Sequence, residues 1–281
     1  MKFKIAVAQT NPRLGDLKHN LGEHLRLAEQ ALKADAALVV FPELSLTGYW
    51  LRDLTTQVAL RLDDEFWKPL LALSHKISLV VGFVEETPEA LFYNSVAYLE
   101  AGRMVHVHRK IFLPNYGMFE EHRFYAPGNA VRAFDTRLGR LGMLVCYDWW
   151  HALGPMILVQ DRATLLLGPV NSPARGIHEN ENWDSVRIFE TAMSFHAKAN
   201  SVPVVMANRV GFEDGLGFWG GSGIWDPNGR PQVRAPFQEP ALIVGEYDSE
   251  RVRLERINTP AVRDERLDLA LRELQRIQRE R

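Results

Sequence analysis

The chain has 281 residues, of which 46% are hydrophobic and 24% are charged, and its formal net charge is −2. This balance argues against the strongly basic surface with which proteins bind nucleic acid or anionic membranes. The single cysteine excludes an internal disulfide and is typical of a reducing compartment. The N-terminal apolar run is too short for a signal peptide, so we expect a cytoplasmic protein.

The first third of the chain predicts alternating strands and helices. Apolar residues at three- and four-residue spacing from Leu14 to Leu32 predict an amphipathic helix with Asp16 as its N-cap. Residues 36–41 are continuously apolar, as in a strand covered on both faces. The other elements predicted here are strands at 3–8 and 78–84 and a helix at 66–76.

The middle third predicts a hairpin followed by an ordered loop. Strands at 91–99 and 103–108 flank the turn-forming pair Ala101-Gly102. Residues 110–128 are rich in aromatic residues, proline and glycine, which favours an ordered loop over a linker. Further strands are predicted at 131–134 and 141–145, on either side of a turn at 137–139.

The last third continues the mixed pattern. Its predicted elements are strands at 163–167 and 203–207, a helix at 182–199, two paired strands at 222–225 and 241–247 around the Pro227-Asn228-Gly229 turn, and a terminal helix at 264–279. The sequence contains no internal repeat, low-complexity tract or linker. The pattern therefore predicts one α/β domain whose sheets are covered by helices on their outer faces.

Three polar residues, Glu43, Lys110 and Cys146, end or closely follow apolar strands. Sites in α/β proteins form where strands end and loops converge. A thiol becomes a good nucleophile when a base removes its proton or a cation stabilises the thiolate, and Glu43 and Lys110 are candidates for these roles. Structural roles stay open at this point, because free cysteines are often buried packing residues and most Glu and Lys are exposed.

Three stretches, in this order, resemble motifs of the nitrilase, or carbon–nitrogen hydrolase, superfamily. Residues 41–49 resemble its first-glutamate motif, residues 108–114 its lysine motif, and residues 144–148 its nucleophile motif. Residues 204–211 and 218–222 are also similar to late stretches of the family. The resemblance covers almost the whole chain.

Within that superfamily, two stretches are most similar to the glutamine-amidase portion of glutamine-dependent NAD synthetases. These are residues 47–54 and 113–123. In the pattern of these enzymes Tyr116 lies near the site, and Glu121 matches a second glutamate beside the nucleophile. The adjacent Glu120 is the competitor for that role, and the register with the following residues favours Glu121.

Tyr147 and Trp150, which follow the thiol, differ in how well they match the synthetase pattern. Trp150 suits the synthetase-type pattern, whereas Tyr147 stands where those synthetases usually carry Glu. The chain also shows no ATP-pyrophosphatase module, so we expect that it does not make NAD by itself. The resemblance therefore specifies the chemistry better than the substrate.

The resemblance implies an αββα four-layer sandwich formed by a single domain over residues 1–281. It also implies that residues 249–281, as a C-terminal tail and helix, pack on a partner subunit of a homodimer or higher homo-oligomer. The expected ligand is a small amide or nitrile substrate. We expect no cofactor, no metal, no nucleic acid and no membrane partner.

The implied activity is hydrolysis of a small primary amide, glutamine-like compounds included, with release of ammonia through a cysteine thioester. Cys146 would attack the carbonyl, Glu43 would act as the base, and Lys110 with the backbone N–H of Tyr147 would hold the oxyanion. Glu121 would orient Lys110 or the substrate nitrogen. The side chains of Tyr116, Tyr147 and Trp150 are the predicted substrate-binding residues.

Two alternatives remain open. A nitrilase or an N-carbamoyl amide hydrolase would use the same catalytic set. A scaffold or ammonia-delivering subunit that acts through a partner protein is the alternative from another class. An intact set of Glu43, Lys110 and Cys146 argues against an inactive scaffold.

Weaker patterns favour structural interpretations. His106 and His108 share one face of a strand without an evident third metal ligand. His151 lies too near Cys146 along the same turn to suit a Cys–His dyad. The run 215–220 matches a dinucleotide fingerprint literally but lacks the strand–turn–helix context that the fingerprint needs.

Overall fold

Two six-stranded sheets form the centre of the fold in the computed structural model, which describes residues 1–176 and 183–281. The strands in this part of the chain are β1 (Lys2–Gln9), β2 (Ala36–Val40), β3 (Ser78–Glu86), β4 (Phe92–Glu100), β5 (Arg103–Arg109), β6 (Phe134–Thr136), β7 (Gly139–Met143), β8 (Leu165–Pro169), β9 (Val204–Ala207), β10 (Val210–Glu213), β11 (Leu216–Trp219), β12 (Gly223–Trp225), β13 (Pro231–Arg234) and β14 (Ala241–Asp248). The helices are α1 (Leu17–Lys33), α2 (Thr55–Val58), α3 (Lys68–Leu73), α4 (Glu121–Phe124), α5 (Leu153–Gln160), α6 (Asp184–Asn200), α7 (Ser249–Asn258), α8 (Ala261–Asp264) and α9 (Leu267–Glu280).

The strand orders are β14-β1-β2-β3-β4-β5 in the first sheet and β13-β12-β9-β8-β7-β6 in the second, with β10 and β11 as a separate hairpin. Strands β1, β2 and β3 are parallel, and so are β7, β8 and β9. Antiparallel strands flank both parallel sets. Because β5 is antiparallel to β4, it runs in the same direction as β3, and its carboxyl end lies at the same edge of the sheet.

The alternation of residues along β1 shows how the layers are built. Ile5 and Val7 join the core between the sheets, whereas Ala6 and Ala8 join the core under α1 and α3. Helices α5 and α6 cover the second sheet through contacts with β7 and β9. Since side chains alternate between the faces of a strand, the central strands carry apolar residues at nearly every position. The observed layers confirm the predicted αββα sandwich.

Several predicted elements agree with the structure. Helix α1 begins after Asp16, whose carboxylate accepts the backbone N–H of His19 at 3.0 Å, so the predicted N-cap is confirmed. The hairpin of β4 and β5 turns at Ala101-Gly102, with Glu100 paired to Arg103. The helix predicted at 182–199 corresponds to α6, although its predicted first residue lies outside the described residues.

The predicted pairing of 222–225 with 241–247 is wrong. Strand β12 pairs with β9 and β13, whereas β14 pairs with β1 along its whole length, from Lys2 opposite Asp248 to Gln9 opposite Ala241. The turn at 227–229 instead joins β12 to β13, which pair as a short antiparallel hairpin. Alternation along β14 identified a strand but carried no information about its partner.

Two other predicted boundaries are also wrong. Only Phe134 of the strand predicted at 131–134 belongs to β6. The helix predicted at 66–76 is confined to α3, preceded by a 3₁₀ turn at Glu65–Trp67. The carbonyl and hydroxyl of Ser74 accept the backbone N–H groups of Ala101 and Gly102, both at 2.9 Å, so Ser74 holds the hairpin turn where the helix would continue.

The C-terminal helices differ in their packing. Helix α7 contacts its own chain, since Arg256 of this helix donates to the carbonyl of Ala163 at 2.9 Å. The apolar stripe of α9 is exposed and comprises Leu267, Leu271, Leu274 and Ile277. The assignment of 1–281 as one domain, with 249–281 contacting a partner subunit, stays a prediction. Within the described residues, no helix is both long and apolar enough to cross a membrane.

Candidate active site

Glu43 is placed by a tight passage of the chain over the first sheet. Strand β2 ends at Val40, and the next residues cross β3 at Gly82, where an added Cβ would lie 2.4 Å from the Leu44 nitrogen. Leu44 itself adopts φ +46°, a left-handed conformation that is costly for a residue with a side chain. This passage leaves the Glu43 side chain fully buried.

Lys110 lies at the carboxyl end of β5, where its ammonium joins two carboxylates. Its Nζ donates to Glu43 Oε1 at 2.7 Å and to Glu121 Oε1 at 2.7 Å. The lysine is 1% exposed, so all three groups share a site that is closed to bulk water. Asn94 of β4 donates from Nδ2 to Glu43 Oε1 at 2.7 Å and accepts the Lys110 backbone N–H at 2.9 Å.

The charges at this centre favour a protonated lysine. Burial alone would lower the pKa of Lys110, but the carboxylates of Glu121 and Glu43 outweigh it and raise that pKa well above its usual value. The resting state therefore holds a charged ammonium between Glu43 and Glu121. Among the described residues, no donor reaches Glu43 Oε2, so one oxygen of this carboxylate stays available for proton transfer.

Glu121 and Glu120 occupy different environments at the start of α4. Glu121 is buried, and its Oε1 accepts the Tyr49 hydroxyl at 2.6 Å as well as Lys110. The Glu120 side chain is 60% exposed and pairs with Arg123 at 3.9 Å. Burial raises the pKa of Glu121 to about 7, although the Lys110 ammonium opposes the shift. Glu121 is thus the glutamate that the structure brings to the Lys110 centre.

Cys146 follows β7 and opens a 3₁₀ turn, Cys146–Trp150. It adopts φ +46°, a strained conformation that is seen in sharp turns presenting a nucleophile. Burial and the negative charge of Glu43 raise the pKa of the thiol well above its usual value, and Lys110 only partly offsets them. The resting group is a neutral thiol, which needs a base when it attacks.

Asp148 connects the Cys146 turn to the Lys110 segment. Its Oδ1 accepts the backbone N–H groups of Ile111 at 3.1 Å and Phe112 at 2.9 Å. Its Oδ2 contacts the Val145 backbone N–H and His108 Nε2, each at 3.0 Å. Because this carboxylate is fully buried, the four contacts fix the two segments relative to each other.

A cavity of about 320 Å³ opens above the thiol, and Cys146 is one of its lining residues. The three predicted substrate-binding residues also line it, in a chain of ring contacts: Tyr116 to Tyr147 at 5.6 Å between centroids, and Tyr147 to Trp150 at 5.4 Å. Tyr116 and Trp150 are 40% and 44% exposed, so they form the outer wall. A thiol that lines such a cavity, with a carboxylate and an ammonium whose charges act on it, can add to a carbonyl and stabilise the charge that develops.

A sequence model described as "Carbon-nitrogen hydrolase" matches residues 4–256. The chain belongs to the carbon–nitrogen hydrolase family. It is 31% identical over 264 residues to the glutamine-dependent NAD(+) synthetase of Acinetobacter baylyi, covering 91% of this chain and 46% of that protein. The chain thus spans about half the length of this relative.

Two proteins similar to this carbon–nitrogen hydrolase match over most of their own length. A probable nitrilase of Schizosaccharomyces pombe is 30% identical over 238 residues, covering 82% of this chain and 83% of that protein. The crystal structure of a carbon–nitrogen hydrolase from Helicobacter pylori superposes with a TM-score of 0.87 at 27% identity, covering 98% and 99% of the two chains. The family membership establishes this chain as an enzyme of the amidase and nitrilase type.

The sequence alone did not assign roles to four residues around the site of this hydrolase. Tyr49 contacts Glu121, Asn94 contacts Glu43, and Asp148 holds the nucleophile turn. Asn171, after β8, lines the cavity and donates from Nδ2 to the Glu43 carbonyl at 3.2 Å. Tyr49 and Asp148 lie inside the stretches that resemble family motifs, so the sequence could have pointed to them. Asn94 and Asn171 lie near strand ends, where nothing in the sequence distinguishes them.

Glu213 supports the Tyr49 segment from the β10–β11 hairpin. Its Oε2 accepts the backbone N–H groups of Tyr49 at 2.9 Å and Trp50 at 2.8 Å, and its Oε1 accepts from Arg209 Nη1 at 2.7 Å. Both members of this ion pair are buried. The run at 215–220, which resembles a dinucleotide fingerprint, spans β11 of this hairpin and therefore has no strand–turn–helix context.

The histidines near the site have structural contacts. His108 bonds to Asp148, and His106 stacks on Phe134 with ring centroids 4.2 Å apart. His151 stacks on Phe112 at 3.5 Å. Within residues 1–176 and 183–281, no group of three or more His, Cys, Asp or Glu side chains is arranged to hold a metal ion.

Proposed function

We propose that this enzyme hydrolyses a small primary amide to a carboxylic acid and ammonia, with Cys146 as the nucleophile. The observation that carries the proposal is the position of Lys110 Nζ, 2.7 Å from both Glu43 and Glu121, in a charged centre that acts on the thiol of Cys146, which lines the cavity. The A. baylyi relative is, by its name, glutamine-dependent, which makes glutamine-like amides the first substrates to test.

In the first half of the proposed reaction, Glu43 Oε2 accepts the thiol proton as Cys146 Sγ bonds to the amide carbon. The carbonyl oxygen becomes an oxyanion beside the Lys110 ammonium. The backbone N–H of Tyr147 is its second donor, because the first N–H groups of a helical turn have no carbonyl partner within that turn. The protonated Glu43 then gives its proton to the departing nitrogen, which leaves as ammonia and a thioester remains.

In the second half, the Glu43 carboxylate takes a proton from water as the water oxygen attacks the thioester carbon. The oxyanion returns to the same two donors. Collapse breaks the carbon–sulfur bond, and Glu43 returns the proton to the sulfur. The net reaction is amide plus water to carboxylic acid plus ammonia, with Cys146 regenerated.

The test is ammonia release over a panel of primary amides, nitriles and N-carbamoyl compounds, with Cys146→Ala as the control. We expect ammonia from amides, and an acyl adduct on Cys146 in acid-quenched samples analysed by mass spectrometry. Activity that survives in Cys146→Ala, or an adduct on another residue, would contradict the nucleophile assignment. Preferred turnover of nitriles or carbamoyl compounds would select those alternatives, and an alkylatable thiol without any turnover would favour the scaffold.

Glu121 gives the proposed reaction a specific pH dependence. As its pKa is about 7, the carboxyl is protonated below that pH and ionised above it. Because only the ionised form fully orients Lys110, kcat/KM should rise with pH through about 7. Glu121→Gln should remove this inflection and lower kcat/KM by about 10- to 100-fold, since charge-assisted hydrogen bonds are lost.

The neighbouring glutamate supplies the matched control for this pH profile. Glu120→Gln changes an exposed side chain in the same turn, so the inflection should remain at its wild-type position. A profile that keeps its inflection in Glu121→Gln, or loses it in Glu120→Gln, would show that Glu121 does not govern the titration.

The cytoplasmic location and the homo-oligomeric state stay predictions.

A further inference from the structure

Tyr49 connects the buried carboxyl of Glu121 to a distant part of the fold. Its hydroxyl donates to Glu121 Oε1 at 2.6 Å. Its ring lies edge to face against Phe119 and Phe218, with centroids 6.4 Å and 6.3 Å away. Burial and the charge of Glu121 raise the pKa of Tyr49 well above its usual value. The phenol therefore stays protonated and remains a donor to this carboxylate.

The backbone at Tyr49 is held by a carboxylate from the β10–β11 hairpin. Glu213 Oε2 accepts the N–H groups of Tyr49 at 2.9 Å and Trp50 at 2.8 Å. Gly48 lets the chain approach this closely, because it adopts φ +81° and an added Cβ would lie 2.7 Å from Glu213 Oε1. The position of the Glu213 carboxylate thus sets the position of the Tyr49 backbone.

Arg209 fixes that carboxylate. It lies between β9 and β10, is fully buried, and donates from Nη1 to Glu213 Oε1 at 2.7 Å. Its Cζ lies 4.3 Å from the Phe218 ring centroid, within the range of cation–π contacts. Desolvation offsets the attraction within a buried ion pair, so such a pair is weak evidence for stability. What this pair provides is one fixed position for Glu213.

The position of the Tyr49 hydroxyl bears on the charge of Glu121. Burial raises the pKa of Glu121 to about 7, the Lys110 ammonium and the Tyr49 hydroxyl oppose this rise, and Glu43 adds to it. A hydroxyl that moved away would therefore favour the protonated carboxyl. The ionisable groups that face Glu121 within the described residues come from several segments, and they are Lys110, Glu43, Tyr49, Tyr125 and Cys146.

We propose that Glu213, held by Arg209, is a positioning residue that fixes the backbone of Tyr49, so that the tyrosine hydroxyl orients Glu121. This inference rests on the proposed amide hydrolysis and extends its machinery to the β10–β11 hairpin. Because the phenol ring is rigid, a displaced backbone moves the hydroxyl relative to Glu121, and a misaligned hydrogen bond weakens steeply.

Two paired substitutions separate the acceptor from the ion pair. Arg209→Met with Glu213→Met removes both charges and the acceptor, whereas Arg209→Met with Glu213→Gln removes both charges and keeps an amide oxygen for the Tyr49 N–H. Neither leaves an unpaired buried charge, so both proteins should fold. The inflection of kcat/KM near pH 7 should rise by about one pH unit in the first protein, the effect of one weakened charge-assisted hydrogen bond, and stay in place in the second.

The size of the kinetic loss should depend on pH. With the inflection one unit higher, the ionised fraction of Glu121 at pH 7 falls from about a half to about a tenth. In the Arg209→Met, Glu213→Met protein, kcat/KM relative to wild type should fall about fivefold at pH 7 and recover at pH 9. A purely structural role would lower the two values equally. Gly48→Ala, whose Cβ would displace the Glu213 carboxylate, reaches the same change with both charges in place and should raise the inflection too.

A double-mutant cycle and a control identify the route. Tyr49→Phe should raise the inflection alone, and adding it to Arg209→Met with Glu213→Met should raise it no further, because both changes act on one hydrogen bond. Lys198→Met with Glu255→Met is the control. It removes an ion pair between α6 and α7 whose glutamate has the same 6% exposure as Glu213, and it should leave the inflection in place.

Carbon-13 NMR of protein labelled at the glutamate carboxyls reads the titration without turnover. The Glu121 carboxyl is the resonance that titrates near pH 7 and is missing from Glu121→Gln. If no amide releases ammonia, but this titration moves in the Met–Met pair and not in the Met–Gln pair, the proposed function fails and the positioning role stands. If amides react and neither the kinetic nor the NMR inflection distinguishes the two pairs, the positioning role is overturned and the amidase stands.

Discussion

Glu43→Gln is expected to lower kcat/KM for amide hydrolysis by about 10³-fold while leaving Cys146 open to alkylation. The two side chains have the same shape, and a glutamine carbonyl oxygen accepts from Asn94 and Lys110 as Glu43 Oε1 does, at 2.7 Å to each. The substitution replaces the second carboxylate oxygen, which we propose accepts the thiol proton, with an amide nitrogen that cannot act as a base. Steady-state ammonia release and the rate of iodoacetamide incorporation measure the two effects.

The matched control for this change is another buried glutamate of the first sheet. Glu85 of β3 is 1% exposed and accepts from Arg109 Nε at 2.9 Å and from the Ser95 hydroxyl at 2.7 Å, whereas Glu43 bonds to Lys110 and its charge acts on the Cys146 thiol. Glu85→Gln should therefore reduce stability while leaving kcat/KM near the wild-type value. The assignment of Glu43 as the general base fails if Glu43→Gln keeps the wild-type kcat/KM, or if Glu85→Gln lowers kcat/KM by as much as Glu43→Gln does.

The three strand-end residues were predictable because sheet geometry converts sequence position into spatial position. Glu43 follows β2, Lys110 follows β5 and Cys146 follows β7, and these strands deliver their carboxyl ends to one region. An apolar run that ends in a polar residue is visible in a sequence. A sequence shows less clearly which of two adjacent polar residues points inward. The choice of Glu121 over Glu120 as the second glutamate rested only on their register with a known family motif.

The contacts that fix these residues were not predictable, because they join segments that are distant in the sequence. Tyr49 meets Glu121 across 72 positions, and Asn94 meets Glu43 across 51. Strand β14 shows the same limit at the level of the fold, since it pairs with β1 at the other end of the chain. Periodicity identifies an element and its buried face, but pairing depends on which free edge the folded sheet offers.

Lys110→Met is expected to impair both catalysis and stability. Removing one oxyanion donor typically costs about 10²- to 10³-fold in kcat. The same change leaves Glu43 and Glu121 buried without their shared cation, and breaking a buried ion pair by removing one partner costs about 3–5 kcal/mol of the free energy of unfolding. Lys68→Met, at a lysine whose side chain is 70% exposed, is the control and should change neither quantity appreciably.

The stability deficit of Lys110→Met should depend on pH with a definite sign. Burial raises the folded-state pKa of Glu121, and loss of the ammonium that opposes this rise takes that pKa still further above its unfolded-state value, so the folded protein binds more protons than the unfolded chain. Its stability then falls as pH rises between those values, and the deficit should be larger at about pH 8 than at about pH 5. Denaturant unfolding of the variant and the wild type at both pH values measures this difference.

A double variant separates the two consequences of losing Lys110. Adding Glu121→Gln to Lys110→Met removes one of the two uncompensated carboxylates, so much of the lost unfolding free energy should return and its pH dependence should weaken. Ammonia release should stay as low as in the single variant, because the oxyanion donor is still missing. Recovery of activity together with stability would mean that Lys110 acts only by holding the fold, and its assignment to the oxyanion would have to be abandoned.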